Sequence, residues 1–540
     1  MLFTRSGLFV LGCLLFFSVG VLSGCGPTTG LSISEPEEAE DPPRESESVD
    51  PNCLHVVVRS GGLTLDPPMI RCDDVASAVV ARQMYRGLVR PIPEGIEPDL
   101  AVDWSSSDGG WTWDVFLDPE ATFHDGTPVT ADAIRRAWLP ALTTEPDSPL
   151  ATPLVGVADI VAADVHTLRF HLSHPDGEFV SAVLTSPNML VGSPVEGGVP
   201  LGTGDYRYGG FTPEGSVILR AVDGQDFRSV IFHALPPDVD LSDPDTWDPG
   251  VQDLFDRAGV IMYLRPEEAS PVAVRLGMHI ESLAELNVRG LVLNHRRTPL
   301  GDVEVRSALF HAIGDAISLL EEPDEFSRHL LPISSWLPAE HPLNATVTRP
   351  MGRPWDPELT EDALELAGMW RTENGSLVYG GIADLPIPLN LQMIAPEGVY
   401  AGGETVARRI SDRLIDAGFA VDLEILPWSR FLARYFPGEY DLALVGWAEH
   451  SPAGSAFLFP WLHSAGGVTV NTADHLRIDD LLLDARAAGS EDERAKKYAE
   501  VLEIAADACL LLPLYTTPAI HALRGDLLPL GPFTSFRRDE

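Results

Sequence analysis

His166, His171 and His174 could offer imidazole ligands to a metal. They fall on or beside a strand pattern. Because 171 and 174 differ by an odd number, those two do not share a face, and no Cys or carboxylate stands at ligand spacing beside them. Asp238, Asp240, Asp243, Asp245 and Asp248 supply many carboxylate oxygens. They lack the central Gly and terminal Glu of a calcium loop and read as a solvated loop. Gly202-Thr203-Gly204 lacks the third glycine of a dinucleotide loop and opens no evident helix. Its glycines suit a close approach of backbone to backbone instead. The sequence contains no His-Glu-x-x-His, no Gly-x-Ser-x-Gly and no Walker sequence, and no nucleophile–base pair stands out. Catalytic residue, metal and cofactor are therefore all expected to be none. Arg306 suits non-covalent recognition: its guanidinium either clamps an anion bidentately or pairs with a nearby carboxylate.

These side chains need elements to hold them. Leu168, Phe170 and Leu172 alternate, so Thr167 to Leu172 is expected as a strand with one buried face. Val406, Ala407, Ile410, Leu414 and Ala417 form one stripe of a helix over 405–417, stopped by Gly418. Phe419, Val421, Leu423 and Ile425 then alternate as a strand, and 440–447 reads as a mostly buried one. Ser490-Glu491-Asp492-Glu493 is a capping box opening a helix whose stripe runs through Tyr498, Leu502 and Ala505. Phe123 to Pro128 fits a tight turn built on Asp125 and Gly126, a structural role. Helix and strand patterns alternate without an internal repeat, which argues for mixed α/β lobes.

The chain of 540 residues carries 80 acidic and 37 basic side chains, a formal charge of −43. That balance opposes binding to nucleic acid, which needs cations to displace phosphate counterions. It also opposes electrostatic adhesion to anionic lipid. Attachment to a membrane would need another device, and the N-terminus offers one. Gly7 to Leu22 is uncharged and largely apolar, and Leu22-Ser23-Gly24-Cys25 follows it. A span needs about 20 residues, so the run is short for one. Small residues before a Cys at this point resemble the lipobox of bacterial lipoproteins, in which the Cys is acylated and becomes the mature N-terminus. The resemblance implies a signal peptide over 1–24, lipidation of Cys25 and stable anchoring by more than one acyl chain. The alternative is an uncleaved anchor helix. Residues 25–52 are acidic, Pro-rich and free of aromatics, and read as a disordered tether. Cys53 and Cys72 either form a disulfide outside the cytoplasm or stay two separate buried thiols. Cys509, in Ala508-Cys509-Leu510-Leu511-Leu512, is expected in the core.

Five blocks, in order, resemble the family 5 extracellular solute-binding proteins, the peptide and nickel receptors of ABC importers. They are Leu65-Asp66-Pro67 with Tyr85-Arg86-Gly87-Leu88; Phe123 through Asp132; Leu201-Gly202-Thr203-Gly204-Asp205-Tyr206; Leu293-Asn294 through Ile313; and Trp428 with Tyr440-Asp441-Leu442 and Gly446-Trp447. The order holds from about residue 54 to 524. The resemblance implies an α/β, two-lobed periplasmic-binding-protein-like fold of type II, with an extra subdomain and an interlobe ligand cleft. Its expected pieces are a first lobe from 53–98, 196–285 and 505–540, a subdomain of 99–195 packed on it, and a second lobe of 286–504.

The implied function is an extracytoplasmic, lipid-anchored, monomeric receptor. It captures an oligopeptide, a metal chelate or another polar metabolite and delivers it to an ABC permease and ATPase that are separate chains. The alternative is the same scaffold used as an envelope sensor or interaction protein without import. Trp428 and Trp447 match aromatic positions that line the family's ligand cavity. Peptide-binding members carry an ammonium-pairing Asp three residues past the second Trp, and here that position is His450. A His is no permanent anion at neutral pH. Glu449 either takes over the role or faces solvent.

Overall fold

The computed structural model describes residues 52–538, apart from 71–73, 93–94, 144–153, 155, 194–200, 223, 237–238, 321–328, 374–375, 381–385, 450, 465–474 and 529–536. Cys25, the signal segment, Asp238, Cys72 and His450 therefore lie outside the described residues. No helix among the described residues is long and apolar enough to cross a membrane.

Alternation of apolar residues builds two sheets, each buried on both faces. In the Cys53–Arg59 strand, Val56 and Val58 face one core while Val57 faces another. The Val75–Met84 helix covers the first face and the Pro266–Leu276 helix the second. In the Asn287–Leu293 strand, Leu291 and Leu293 point to one core, and Val288 and Val292 to the opposite one. Burying a Val or Leu side chain fully contributes roughly 1.5–3 kcal/mol, so such two-sided strands anchor each body.

The first sheet has seven strands in the order His279–Leu283, Ala519–Leu523, Val260–Met262, Cys53–Arg59, Ser229–Leu235, Val217–Ala221, Tyr206–Phe211. Its centre is parallel, with Cys53–Arg59 flanked by Ser229–Leu235 and Val260–Met262. The second has six, in the order Leu331–Pro332, Leu511–Thr516, Asn287–Leu293, Leu442–Ala448, Asn390–Pro396, Ala420–Leu426. A four-stranded antiparallel sheet, Ala101–Ser107, Thr112–Leu117, Thr167–Leu172, Val157–Ala162, has its own core around Trp138, Phe170 and Phe179.

The small sheet is seated on the first body. Asn188 donates its amide to the carbonyls of Pro67 (3.2 Å) and Ile70 (2.5 Å), and Arg86 Nε donates to Asp99 at 2.6 Å. A Cβ on Gly202 would run into the carbonyl oxygen of Met84, so the glycine is required there for close approach.

The two large sheets exchange chain at two adjacent places. His279–Leu283 of the first leads into Asn287–Leu293 of the second, and Leu511–Thr516 of the second leads into Ala519–Leu523 of the first. The expected boundary at 505 therefore does not follow the sheets, because Leu511–Thr516 belongs to the second one. All six residues of that strand are buried, and an all-apolar run carries no mark of which sheet it joins.

Other expectations meet the structure directly. The helices run Gly403–Asp416 and Glu491–Asp507, with Ser490 Oγ accepting from Glu493 N–H at 3.3 Å. Asp125 Oδ1 accepts from Thr127 N–H (2.9 Å) and Thr127 Oγ (2.6 Å), closing the expected turn. Cys509 is fully buried. The acidic loop has local duties: Asp240, Asp243 and Asp248 accept from backbone N–H groups downstream, Asp248 capping the Pro249–Arg257 helix.

Candidate ligand-binding site at the lobe junction

Trp447 is the last residue but one of the Leu442–Ala448 strand, where burial gives way to partial exposure, and it pairs with Val288 just past the first crossover. Its indole N–H donates to Glu449 Oε1 and to the carbonyl of Ala456, both at 3.0 Å. Its ring meets Trp461 edge-on, centroids 5.9 Å apart. Glu449 is half-buried, and its backbone N–H donates to Leu286 at 2.8 Å, in the first crossover. Its carboxylate thus bonds the Trp447 indole while the residue remains partly exposed.

Arg289, on the adjacent strand, donates Nη1 to the carbonyls of Val288 (2.9 Å) and Trp447 (3.1 Å). Its guanidinium carbon lies 4.8 Å from the centre of the Tyr400 ring, a cation–π arrangement. Burial raises the Tyr400 hydroxyl pKa, and the Arg289 charge pulls it back.

The first lobe adds a second group. Tyr263 follows the parallel strand Val260–Met262 with a left-handed φ of 59°. Its N–H donates to His521 Nδ1 at 3.3 Å, and the two rings meet at 5.2 Å. That bond places the His521 proton on Nε2, and burial lowers the ring's pKa to about 4, so it is neutral at physiological pH. Glu285, in the first crossover, accepts from Asn287 Nδ2 at 3.2 Å. Burial pushes its carboxyl up to about 7, with Arg289 and the Asn287 hydrogen bond opposing. Arg82 is lowered to about 10 by burial, with Asp99 and Tyr263 opposing. Arg289 Nε and His521 Nε2 are buried donors with no partner among the described residues.

The structure brings Trp447 and Glu449 together. Trp428 is half-buried at the start of the Trp428–Tyr435 helix and stacked on Phe431 (5.5 Å, 11°), and it packs against the same core as Trp447. Arg306 goes elsewhere: it is 2% exposed. Its guanidinium donates to Leu300 (2.9 Å), Ala508 (2.6 and 3.1 Å) and Cys509 (3.2 Å). These contacts to backbone carbonyls make a staple between helix and strand, in place of either the anion clamp or the carboxylate pair that the sequence left open. The helix stripe placed Arg306 among apolar neighbours, and a buried guanidinium is stable there because carbonyl oxygens take its protons. Sequence reasoning missed Arg82, Tyr263, Glu285, Arg289 and His521. One signal pointed at Tyr263: it follows a short apolar strand, and ligands of open α/β sheets sit beyond the carboxyl ends of such strands.

The profile of the bacterial extracellular solute-binding proteins, family 5 (middle region), matches residues 95–468. The chain belongs to this family. Family 5 relatives include the periplasmic oligopeptide-binding protein OppA of Salmonella typhimurium, 23% identical over 536 residues and covering 92% of each chain. The dipeptide-binding protein of Escherichia coli is 21% identical over 469 residues, covering 80% of this chain and 82% of its own. Among solved structures, NikA from Brucella suis in complex with Fe(III)-EDTA superposes with a TM-score of 0.73 at 17% identity, over 90% of this chain and 100% of that one. The fold is the two-lobed one of these family 5 structures, and the family consists of binding proteins.

Proposed function

We propose that this protein is a lipid-anchored extracytoplasmic receptor that captures a small polar, peptide-like ligand between its lobes. It hands the ligand, chemically unchanged, to an ABC permease and ATPase made as separate chains. Family 5 membership supports the reading. The observation that carries it is the junction itself: two independently cored sheets linked by paired crossovers, with aromatic and ionic side chains gathered there. A ligand touching both lobes binds the closed form better, and it shifts the open–closed balance only by that difference in affinity.

Arg289 and the Glu449 carboxylate, with the Glu285 carboxyl that burial pushes up to about 7 beside them, suit a ligand bearing both charges, such as an oligopeptide, a metal chelate or another polar metabolite. Trp447 and Trp428 would supply apolar walls. Cys25 would carry the lipid and His450 would stand in place of the ammonium-pairing acid; Cys53 is a free, half-buried thiol in the structure, which favours the separate-thiol alternative over a bridge to Cys72. The chain would act as a monomer and not as an enzyme.

Isothermal titration with a panel of short peptides, nickel–histidine chelates and opine-like acids tests this. One class should bind at micromolar Kd or tighter and be recovered intact. Failure of the whole panel to bind, or recovery of a cleaved ligand, would overturn the reading.

A further inference from the structure

The small sheet touches the second lobe as well as the first. Its corner, Asp176 to Ser181, meets the start of the Gly454–Leu462 helix and the helices His475–Ala487 and Glu491–Asp507. The Gly454–Leu462 helix has Ala453 at its N-cap and no side-chain cap of its own. Glu178 supplies one from across the junction, accepting from Gly454 N–H (3.2 Å), Ser455 N–H (3.3 Å) and Tyr498 O–H (2.5 Å). The residue is 5% exposed. A carboxylate at a helix N-terminus satisfies orphan N–H groups and complements the helix dipole.

Beside it, Asp176, 2% exposed, pairs with Arg486 and accepts from Glu178 N–H at 2.9 Å. Gly177 N–H donates to the Arg486 carbonyl (2.5 Å), and Arg494 Nη2 donates to the Gly177 carbonyl (3.0 Å). A Cβ on Gly177 would lie 2.5 Å from Arg494 Nη2 and 2.6 Å from the Ala488 carbonyl oxygen, so only glycine permits this approach. Ser451 Oγ donates to the Ser181 carbonyl at 2.7 Å.

We propose that Asp176–Ser181 is an interlobe latch. Glu178 and Asp176 hold the subdomain against the second lobe in the closed form, and separating the lobes must free both. Separation re-hydrates two carboxylates and uncaps the helix, so the latch biases the molecule toward closure without touching the ligand. The helix it caps includes Ala456, whose carbonyl accepts from the Trp447 indole N–H, so the latch also braces Trp447. The link from latch to ligand release rests on the receptor reading; the latch itself does not.

The test uses the full chain without added ligand. Amide hydrogen exchange is followed in peptides covering 176–183 and 451–458, and the radius of gyration is measured by X-ray scattering. Glu178→Ala should raise exchange roughly tenfold in both peptides, including the one it does not belong to, and should enlarge the radius. Asp176→Arg should do likewise, and Asp176→Arg with Arg486→Asp should restore protection. Peptides covering 287–293 report the sheet core and should stay unchanged. Exchange confined to the mutated segment with an unaltered radius would overturn the latch. So would failure of the charge-swapped pair to restore a well-folded Asp176→Arg variant. Opening of the variants alongside a wild type that binds nothing would leave the latch standing and the receptor reading rejected.

Discussion

The side-chain amide of Asn287 closes on the backbone of Thr517, accepting its N–H at 3.0 Å and donating to its carbonyl at 2.7 Å. These residues lie on the two crossovers between the large sheets, so one buried side chain ties both strands of the junction together. Thr516 Oγ adds a third bond to the same amide oxygen at 3.1 Å.

Asn287→Ala would leave the half-buried Thr517 N–H and carbonyl without their partner. Unsatisfied buried groups cost about 1–3 kcal/mol each, so a loss of ~2–6 kcal/mol is expected, toward the lower end because Thr517 is only half-buried. Urea unfolding should show a lower midpoint with an unchanged slope. An unaltered midpoint would mean that the crossovers hold without the amide.

Arg306→Ala should cost about 3 kcal/mol, because it strips charged donors from the carbonyls of Leu300, Ala508 and Cys509. Affinity for any ligand of the folded protein should stay the same. Weaker binding with unchanged stability would restore the anion clamp in place of the staple.

Much of this was legible in local sequence and some was not. The strand at Leu168, Phe170 and Leu172, the Gly403–Asp416 helix and the Asp125 turn each rest on contacts between near neighbours, which leave a period or a spacing behind. The all-apolar Leu511–Thr516 strand satisfies either sheet equally, so its partner was invisible. Arg306 has the same polarity whether it faces solvent, ligand or carbonyls. Trp447 was marked by its motif, but Tyr263, Glu285, Arg289 and His521 have no shared period. Glu178 and Tyr498 are 320 positions apart in the chain, and no sequence pattern announces a cap supplied by another body.

The raised Glu285 carboxyl gives a pH signature. Its folded value of about 7 exceeds the ordinary 4.5, so the folded state holds the proton more tightly. This contribution is fully present below pH 4.5 and is lost as pH rises through about 7. His521 acts oppositely at lower pH: its value of about 4 lies below the ordinary 6.5, so its burial favours the fold more as pH rises from about 4 to 6.5. Comparing wild type with Glu285→Gln isolates the first effect. The difference in unfolding free energy between the two should change across pH 4.5–7 and stay flat below that window. A pH-independent difference would show that Glu285 is ionised in the folded protein.

Cys25→Ser should leave the folded body intact and release it from the membrane, read by fractionation beside circular dichroism. Continued membrane association of the variant would reject lipidation at Cys25.

A receptor of this kind pinches a small guest between its lobes and releases it unaltered. Native mass spectrometry of the full chain, taken directly after gentle purification, tests it most plainly. A population carrying one small molecule, which denaturation releases with its mass unchanged, is expected. A chain that always flies bare, or one whose guest emerges at an altered mass, would contradict it.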